Sequence, residues 1–375
     1  MKLLFVHDHK FRYIEGKFYS TGGLSDNVLK RYTDVFGDVT VIARVIKEKR
    51  KKNQYSEISN KNVVIKNGIK LGYTGFINEI KKADYIISRM PSFLGLKAII
   101  LARKLNKPCL IELVACPWDS LWNHSLIGKL VAPFMTMATK IITKNASHVL
   151  YVTNEFLQRR YPTNGKSINC SDVVLTEFDN NVLKNRLQKI SKTNSKLIIG
   201  TIAAVDVRYK GQQYIIKALG KLKKQGITNF EYQLVGGGDP TYLKSVAKKF
   251  NVIEQVKFLG PKPHEKIFEW LDTIDIYVQP SRAEGLPRSL IEAMSRGLPA
   301  FGANTGEIPE LLESKYIFTN SRNNIDEICK ILLSFNKEIM KIQAERNFHE
   351  AKKYNKTSTE KKRLAFFKQF MGDHF

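Results

Sequence analysis

The 375 residues include 61 lysines and arginines against 35 aspartates and glutamates, a formal charge of +26, and 43% of the chain is hydrophobic. That is an ordinary globular share, long enough for two domains with separate cores, with no low-complexity tract or short-period repeat. The excess of base favours anionic partners such as nucleic acid, acidic lipid headgroups or phosphorylated substrates. A lysine-rich solvated surface is the plain alternative.

The start, "MKLLFVHDHKF", has an apolar run ending at His7. It reads as a first β-strand, because a signal peptide needs a longer apolar stretch and a cleavage site. "GKFYSTGGLSDNVLKRYTDVF" follows, with Gly22 and Gly23 opening a helix and Ser25 and Asp26 in its first turn. Buried strands are expected at "VTVIARV", "YIISR", "CLIELVA" and "HVLYVT", then at "LIIGTIA", "YQLVGGG", "VKFLG" and "IDIYVQPS". Helical patterns such as "YIIKALGKLKKQG" lie between them, and the alternation predicts two doubly wound α/β domains. The polar stretch "TEFDNNVLKNRLQKISKTNSK" marks the break, giving domains at about 1–180 and 195–350. The last helix, about 355–375, is amphipathic and can pack back on the first domain. No run of about 18 apolar residues occurs, so no membrane-spanning helix is expected. Cys109, Cys116, Cys170 and Cys329 are scattered and read as free thiols in a reducing cytoplasm.

Ligands of such domains sit at the carboxyl ends of the strands, so those loops hold the candidate chemistry. After "IDIYVQPS" comes "RAEGLPRSLIEAMSRGLPA", with seven residues between Glu284 and Glu292. Pro287 suits a helix's first turn, and Gly297 with Pro299 its end, predicting a helix over 287–296. Leu290, Ile291 and Met294 would face the sheet. Helical side chains lean toward the N-terminus, so both carboxylates can reach the space above the helix start. That start offers free N–H groups and a partial positive charge, a natural phosphate site, and Gly285 allows a close approach. Carboxylates beside phosphate make sense if they accept hydrogen bonds from flanking hydroxyls. A nucleotide sugar has that pattern: ribose hydroxyls, diphosphate, sugar hydroxyls. Alternatively, Glu292 is four residues from both Arg288 and Arg296 and can serve as a helical ion-pair residue.

The stretch "EGLPRSLIE", continued by "AMSRGLPAFGANTGEIPELL", resembles the E-x7-E signature of retaining GT-B glycosyltransferases. The likeness is strongest to those that build bacterial capsule, O-antigen (lipopolysaccharide) and exopolysaccharide chains. It covers most of 197–315 and is weaker in the first half. It implies a GT-B fold, two Rossmann-like domains facing across a cleft, and transfer of a sugar from a UDP- or GDP-linked donor to a hydroxyl of a growing surface glycan or lipid-linked oligosaccharide. By position Glu284 would contact the donor sugar and Glu292 the ribose, with Gly285, Leu286, Pro287, Arg288 and Ser289 lining the donor site between them. The family's usual Gly-Gly reads Gly306-Glu307 here, which puts that loop's contacts in doubt.

In "GTIAAVDVRYKGQQ", Arg208 and Lys210 precede a helix. Fixed cations there would stabilise charge on a leaving diphosphate without a metal, and no Asp-x-Asp pair follows a strand to hold one. No cofactor is expected. The family's Lys-Gly corresponds to Lys210-Gly211. Its earlier Arg is replaced by Ala203 and Ala204, so Arg208 would have to substitute. Gly236 and Gly238 in "LVGGGD" and Gly260 in "FLGPKPHEKI" fall in donor-side loops of the family, and Gly23 in a loop near the donor phosphates and the acceptor; each is also an ordinary turn residue. His264 reads as a surface residue.

In the first domain, "ELVACPWDSLWNH" ends in a loop where Trp118 and Trp122 can stack on a sugar and Asp119 or His124 can bond its hydroxyls. Arg89, after "YIIS", is a further acceptor-side candidate. "LIGKLVAPFMTMATKIITKNA" is apolar with spaced lysines and, with "KEKRKK" at Lys47–Lys52, can rest on an anionic membrane surface. A buried helix with snorkelling lysines fits equally. The expected location is cytoplasmic, peripheral on the inner face of the plasma membrane. Two other readings stand beside the transferase: a nucleotide-sugar 2-epimerase of the same fold, which the basic surface and Trp-rich loop disfavour, and a nucleic-acid binder, for which no recognised module is present.

Overall fold

The computed structural model describes residues 1–51, 55–123, 125–173, 175, 178–192, 196–321 and 323–374. The chain forms two compact units. One comprises Met1–Trp118, Leu130–Cys170 and Lys361–Phe375; the other comprises Asp119–Lys129 and Ser171–Glu360.

The first unit's strands are β1 (Lys2–Ile14), β2 (Lys17–Ser20), β3 (Asp38–Lys47), β4 (Ser56–Glu57), β5 (Val63–Asn67), β6 (Tyr85–Met90), β7 (Cys109–Leu113), β8 (His148–Tyr151) and β9 (Lys166–Asn169). Seven of them lie parallel in the order β5-β3-β1-β6-β7-β8-β9. β2 and β4 add an antiparallel ribbon at the far end of β1. Helices cover both faces, the condition for a buried parallel sheet. One face packs on Leu29, Tyr32 and Phe36 of the helix Asp26–Phe36, the other on Phe76, Ile80, Ala98 and Leu101.

β1 runs well past the expected end at His7. Its second half alternates too loosely to read as a strand, and the chain turns back through Glu15 and Gly16, both at positive φ. That two-residue turn matches the twist of a hairpin, and Ile14 pairs with Lys17 across it.

The second unit holds β10 (Leu197–Ile202), β11 (Phe230–Val235), β12 (Val256–Gly260), β13 (Ile276–Gln279), β14 (Ala300–Ala303) and β15 (Ile317–Phe318), all parallel in the order β12-β11-β10-β13-β14-β15. Apolar cores fill both faces. β14 and β15 escaped the sequence reading because "AFGA" and "IF" are too short to show a period. β10 and β13 are central neighbours joined to strands on opposite sides, so the loops after them flank the point where strand order reverses.

The final helix, Lys356–Gly372, sends Phe366, Phe367 and Phe370 into the first unit's core beside Tyr32 and Phe36. Just beyond it Asp373 joins His148 at 2.8 Å and Lys166 at 2.7 Å. Phe367 is fully buried. Phe367→Ala should cost about 3–5 kcal/mol, the usual range for deleting a buried aromatic ring, and lower the melting transition of the first unit. An unshifted melt would show that this helix does not complete that core.

Candidate functional site

β13 delivers two polar side chains to the face covered by the helix Arg288–Ser295. Tyr277 is fully buried and Gln279 is 2% exposed, two positions apart and so on one side of the strand. The Tyr277 hydroxyl donates to Gln279 Oε1 at 3.0 Å, and the Ser289 hydroxyl donates to the same oxygen at 3.2 Å. With Oε1 so occupied, the Gln279 amide points its Nε2 at Ser281 Oγ (3.1 Å) and at Glu284 Oε1 (2.9 Å). A glutamine on a strand carries no signal by itself, which is why Tyr277, Gln279 and Ser281 escaped the sequence reading.

Lys210 completes the arrangement. Its Nζ lies 2.7 Å from Glu284 Oε1. The pair is about 20% and 10% accessible, respectively, by side chain (23% and 12%), wet enough to be reached by a ligand and dry enough to matter. Two backbone contacts bring it together. The Arg282 N–H donates to the Tyr209 carbonyl at 2.7 Å, and Gly211, in the left-handed conformation at φ +80°, sits so close to Pro280 that a Cβ would fall 1.9 Å from its carbonyl oxygen. Only glycine permits this approach. From behind, Gly306 (φ +59°) backs onto the Glu284 carbonyl, where a Cβ would meet it at 2.5 Å, and the Glu307 N–H donates to Gly285 at 3.1 Å. The Glu307 carboxylate is buried and accepts from the Tyr354 hydroxyl at 3.3 Å.

The helix begins after Pro287, which is buried and lends its carbonyl to the N–H groups of Leu290 and Ile291 at 3.0 and 3.3 Å. Leu290, Ile291 and Met294 are fully buried, Leu286 packs at the edge of the same core, and Arg288 is exposed. Glu292 does not pair with Arg296, which binds Asp272 at 2.6 Å. Its partner is His264, 3.3 Å away and 62% exposed by side chain. The hydrogen bond to Glu292 holds the His264 imidazole above its ordinary pKa, against a smaller lowering by partial burial.

Arg208 is exposed, with its guanidinium 4.4 Å over the Tyr242 ring. At the glycine loop after β11, the close approach at Gly236 is to the Ala203 carbonyl, 1.9 Å from a built Cβ, and at Gly238 (φ +107°) to the Asp206 carboxylate at 2.2 Å. These glycines let two strand-end loops pack. Gly260 (φ +71°) and Gly23 have open space around them.

In the first unit, Arg89 on β6 is buried and lies 3.8 Å from Glu112 on the neighbouring β7. Glu112 accepts from the Tyr32 hydroxyl at 2.9 Å. Two histidines of β1 that the sequence reading passed over share this charge. His7 is held down to about 3, first by burial and then by Arg89, and His9 to about 4 for the same reasons. Trp118 and Asp119 are half-buried in the short helix Pro117–Trp122, Trp122 is exposed, and His124 lies outside the described residues. Among the described residues no group of three or more His, Cys, Asp or Glu is placed to hold a metal ion.

Two Rossmann-like α/β units, the second with a base and two acids at its strand ends, give the chain a GT-B fold. The chain belongs to the glycosyl transferases group 1 family, whose model matches residues 184–353. It is 31% identical to Protein CapJ of Staphylococcus aureus across 100% of this chain and 98% of that one. Over 28% of the chain it is 40% identical to the amylovoran biosynthesis glycosyltransferase AmsK of Erwinia amylovora, covering 27% of that protein. In structure it is similar to Anabaena HepE solved in complex with UDP, with a TM-score of 0.66 at 16% identity over 98% of this chain and 100% of that one.

Gly211→Ala should lower the melting transition, through left-handed strain of about 1–2 kcal/mol plus the clash with Pro280. Gly237→Ala, where a Cβ meets nothing within 4 Å, should leave it unchanged; equal melts would remove the loop-locking argument. For His264, the NMR titration midpoint should lie above the ordinary 6.5 and fall in Glu292→Gln. Because the folded pKa is raised, the pair's stabilisation is fully present below the unfolded pKa and is lost as pH rises through the folded value. A midpoint indifferent to Glu292→Gln would break the assignment.

Proposed function

We propose that this enzyme is a retaining, metal-independent glycosyltransferase that moves a sugar from a UDP- or GDP-linked donor to a hydroxyl of a growing surface glycan or lipid-linked oligosaccharide at the cytoplasmic face of the membrane. The observation that carries the reading is the Lys210–Glu284 contact of 2.7 Å at the strand-order switch point. A nucleotide sugar laid across the ends of β10 and β13 would meet a cation where its diphosphate gathers charge and a carboxylate where its sugar hydroxyls lie. Glu292, one turn into the helix, is the acceptor for ribose hydroxyls. UDP is the first nucleotide to test, since the similar HepE structures hold UDP and UDP-glucose.

In this reading no side chain attacks the sugar. The acceptor hydroxyl approaches from the face the diphosphate leaves, its oxygen bonds to the anomeric carbon as the carbon–phosphate-oxygen bond breaks, and its proton passes to a phosphate oxygen. Lys210 stabilises the charge released, an effect felt mainly in the transition state. Glu284 orients the donor sugar and keeps Lys210 in place. Arg208, with its guanidinium 4.4 Å over the Tyr242 ring, is the cation that would stand in for the arginine that Ala203 and Ala204 replace. Trp118, Asp119 and Arg89 are kept as acceptor-side residues.

The test combines binding with turnover. UDP at a hundred times its dissociation constant should add about 2.7 kcal/mol of stability in a thermal-shift measurement. Lys210→Ala should lower turnover by a hundred- to thousand-fold, about 2.7–4 kcal/mol, with a much smaller change in donor affinity. Glu284→Gln should lose turnover while UDP still binds, and Glu292→Gln should weaken UDP itself. Transfer should survive EDTA, and the product should keep the donor's anomeric configuration by NMR. Near-wild-type turnover in Lys210→Ala, an inverted product, or activity lost in EDTA and restored by manganese would each overturn the corresponding part.

A further inference from the structure

The helix Leu126–Lys144 is built the wrong way round for a protein surface. Leu126, Ile127, Leu130, Phe134, Met137 and Ile141 are between 50% and 82% exposed. At 100° per residue these six fall within an arc of roughly 100°, so they form one continuous apolar stripe. The opposite face, Ala132, Met135, Thr139, Ile142 and Thr143, is at most 5% exposed. Two threonines are thus turned inward while leucines and a phenylalanine face out. Scattered apolar side chains on a surface mean little, but a contiguous stripe of this length marks a contact face.

The charges beside the stripe indicate what it contacts. The helix has no aspartate or glutamate. Its three lysines, Lys129, Lys140 and Lys144, are all exposed and lie on one flank, within roughly 50–110° of the stripe's middle. At the far end Arg103 donates to the Ile142 carbonyl at 2.7 Å, adding a further cation. Two copies meeting through this face would bring like charges together, whereas an anionic bilayer would satisfy both stripe and flank. By length and composition alone the helix could cross a membrane, with a mean hydropathy of 1.3. Crossing would, however, strip Ala132, Met135 and Ile142 from the core they fill. Lying in the interface plane keeps that core and seats the apolar face among acyl chains with the lysines at headgroup level.

We infer that Leu126–Lys144 is an in-plane docking helix that binds an anionic lipid surface through Leu130, Phe134, Met137 and Ile141, with Lys129, Lys140 and Lys144 selecting the charge. This does not depend on the transfer reaction. The experiment is co-sedimentation of the full chain with vesicles of phosphatidylcholine alone or mixed with phosphatidylglycerol, at rising sodium chloride. Binding should require phosphatidylglycerol and weaken with salt. Leu130→Glu/Phe134→Glu should reduce binding by about tenfold or more, and Lys140→Glu/Lys144→Glu by a similar factor at low salt. All four positions are exposed, so melting temperature and the UDP thermal shift should stay as in the parent, which separates failed docking from a failed donor site. Equal binding to both vesicle types, binding untouched by Leu130→Glu/Phe134→Glu, or a dimer in light scattering that this pair abolishes would overturn the inference, the last in favour of a copy-to-copy interface.

Discussion

A lysine and a glutamate from two different strand ends share one oxygen-to-nitrogen contact of 2.7 Å, and the second unit's geometry converges on it. Lys210 follows β10 and Glu284 follows β13, 74 residues apart in the chain. Such a pair is worth little on an open surface, where side-chain entropy and screening offset the attraction. Here the backbone is committed first. Gly211 against Pro280 and Arg282 onto Tyr209 hold the two loops, and Gln279, oriented by Tyr277 and Ser289, fixes the carboxylate. Glu284 thus has its rotamer set by Gln279, which is itself buried, a condition for a preorganised site.

The glycines of this unit divide by what they approach. Gly211, Gly236, Gly238 and Gly306 each leave room for another backbone or side chain of the same unit, so their small size brings loops together. Gly237 and Gly260 border open space. A glycine-rich stretch after a strand therefore carries two kinds of residue with one letter, and sequence cannot sort them because the difference lies in which loop packs opposite.

The two acids of the motif also differ in their surroundings. Glu284 sits among donors that tie it to the sheet, whereas Glu292 has a half-exposed imidazole for a partner. A ligand hydroxyl would compete with a lysine and an amide at one and with an exposed imidazole at the other. The first unit shows a contrasting solution: Arg89 and Glu112 are largely buried beside Tyr32, and His7 and His9 stay neutral near them, because burial and a neighbouring guanidinium both oppose a second positive charge.

Alternating apolar runs and helical patterns were enough to determine two parallel α/β layers, because burial on both faces leaves a nearly continuous hydrophobic signature. The motif from Glu284 to Glu292 was equally legible, since Pro287 and Gly297 are local signals for a helix start and stop. What stayed hidden was set by partners distant in the chain. β14 and β15 are too short to show a period. Gln279 gains its place only from Tyr277 below it and Ser289 beside it. His264, read as a surface residue, is exposed and yet meets Glu292 across 28 positions. The apolar run at 126–144 was visible, but its direction was not. Periodicity shows that a helix has two faces, and only packing decided that the threonines turn inward and the leucines out.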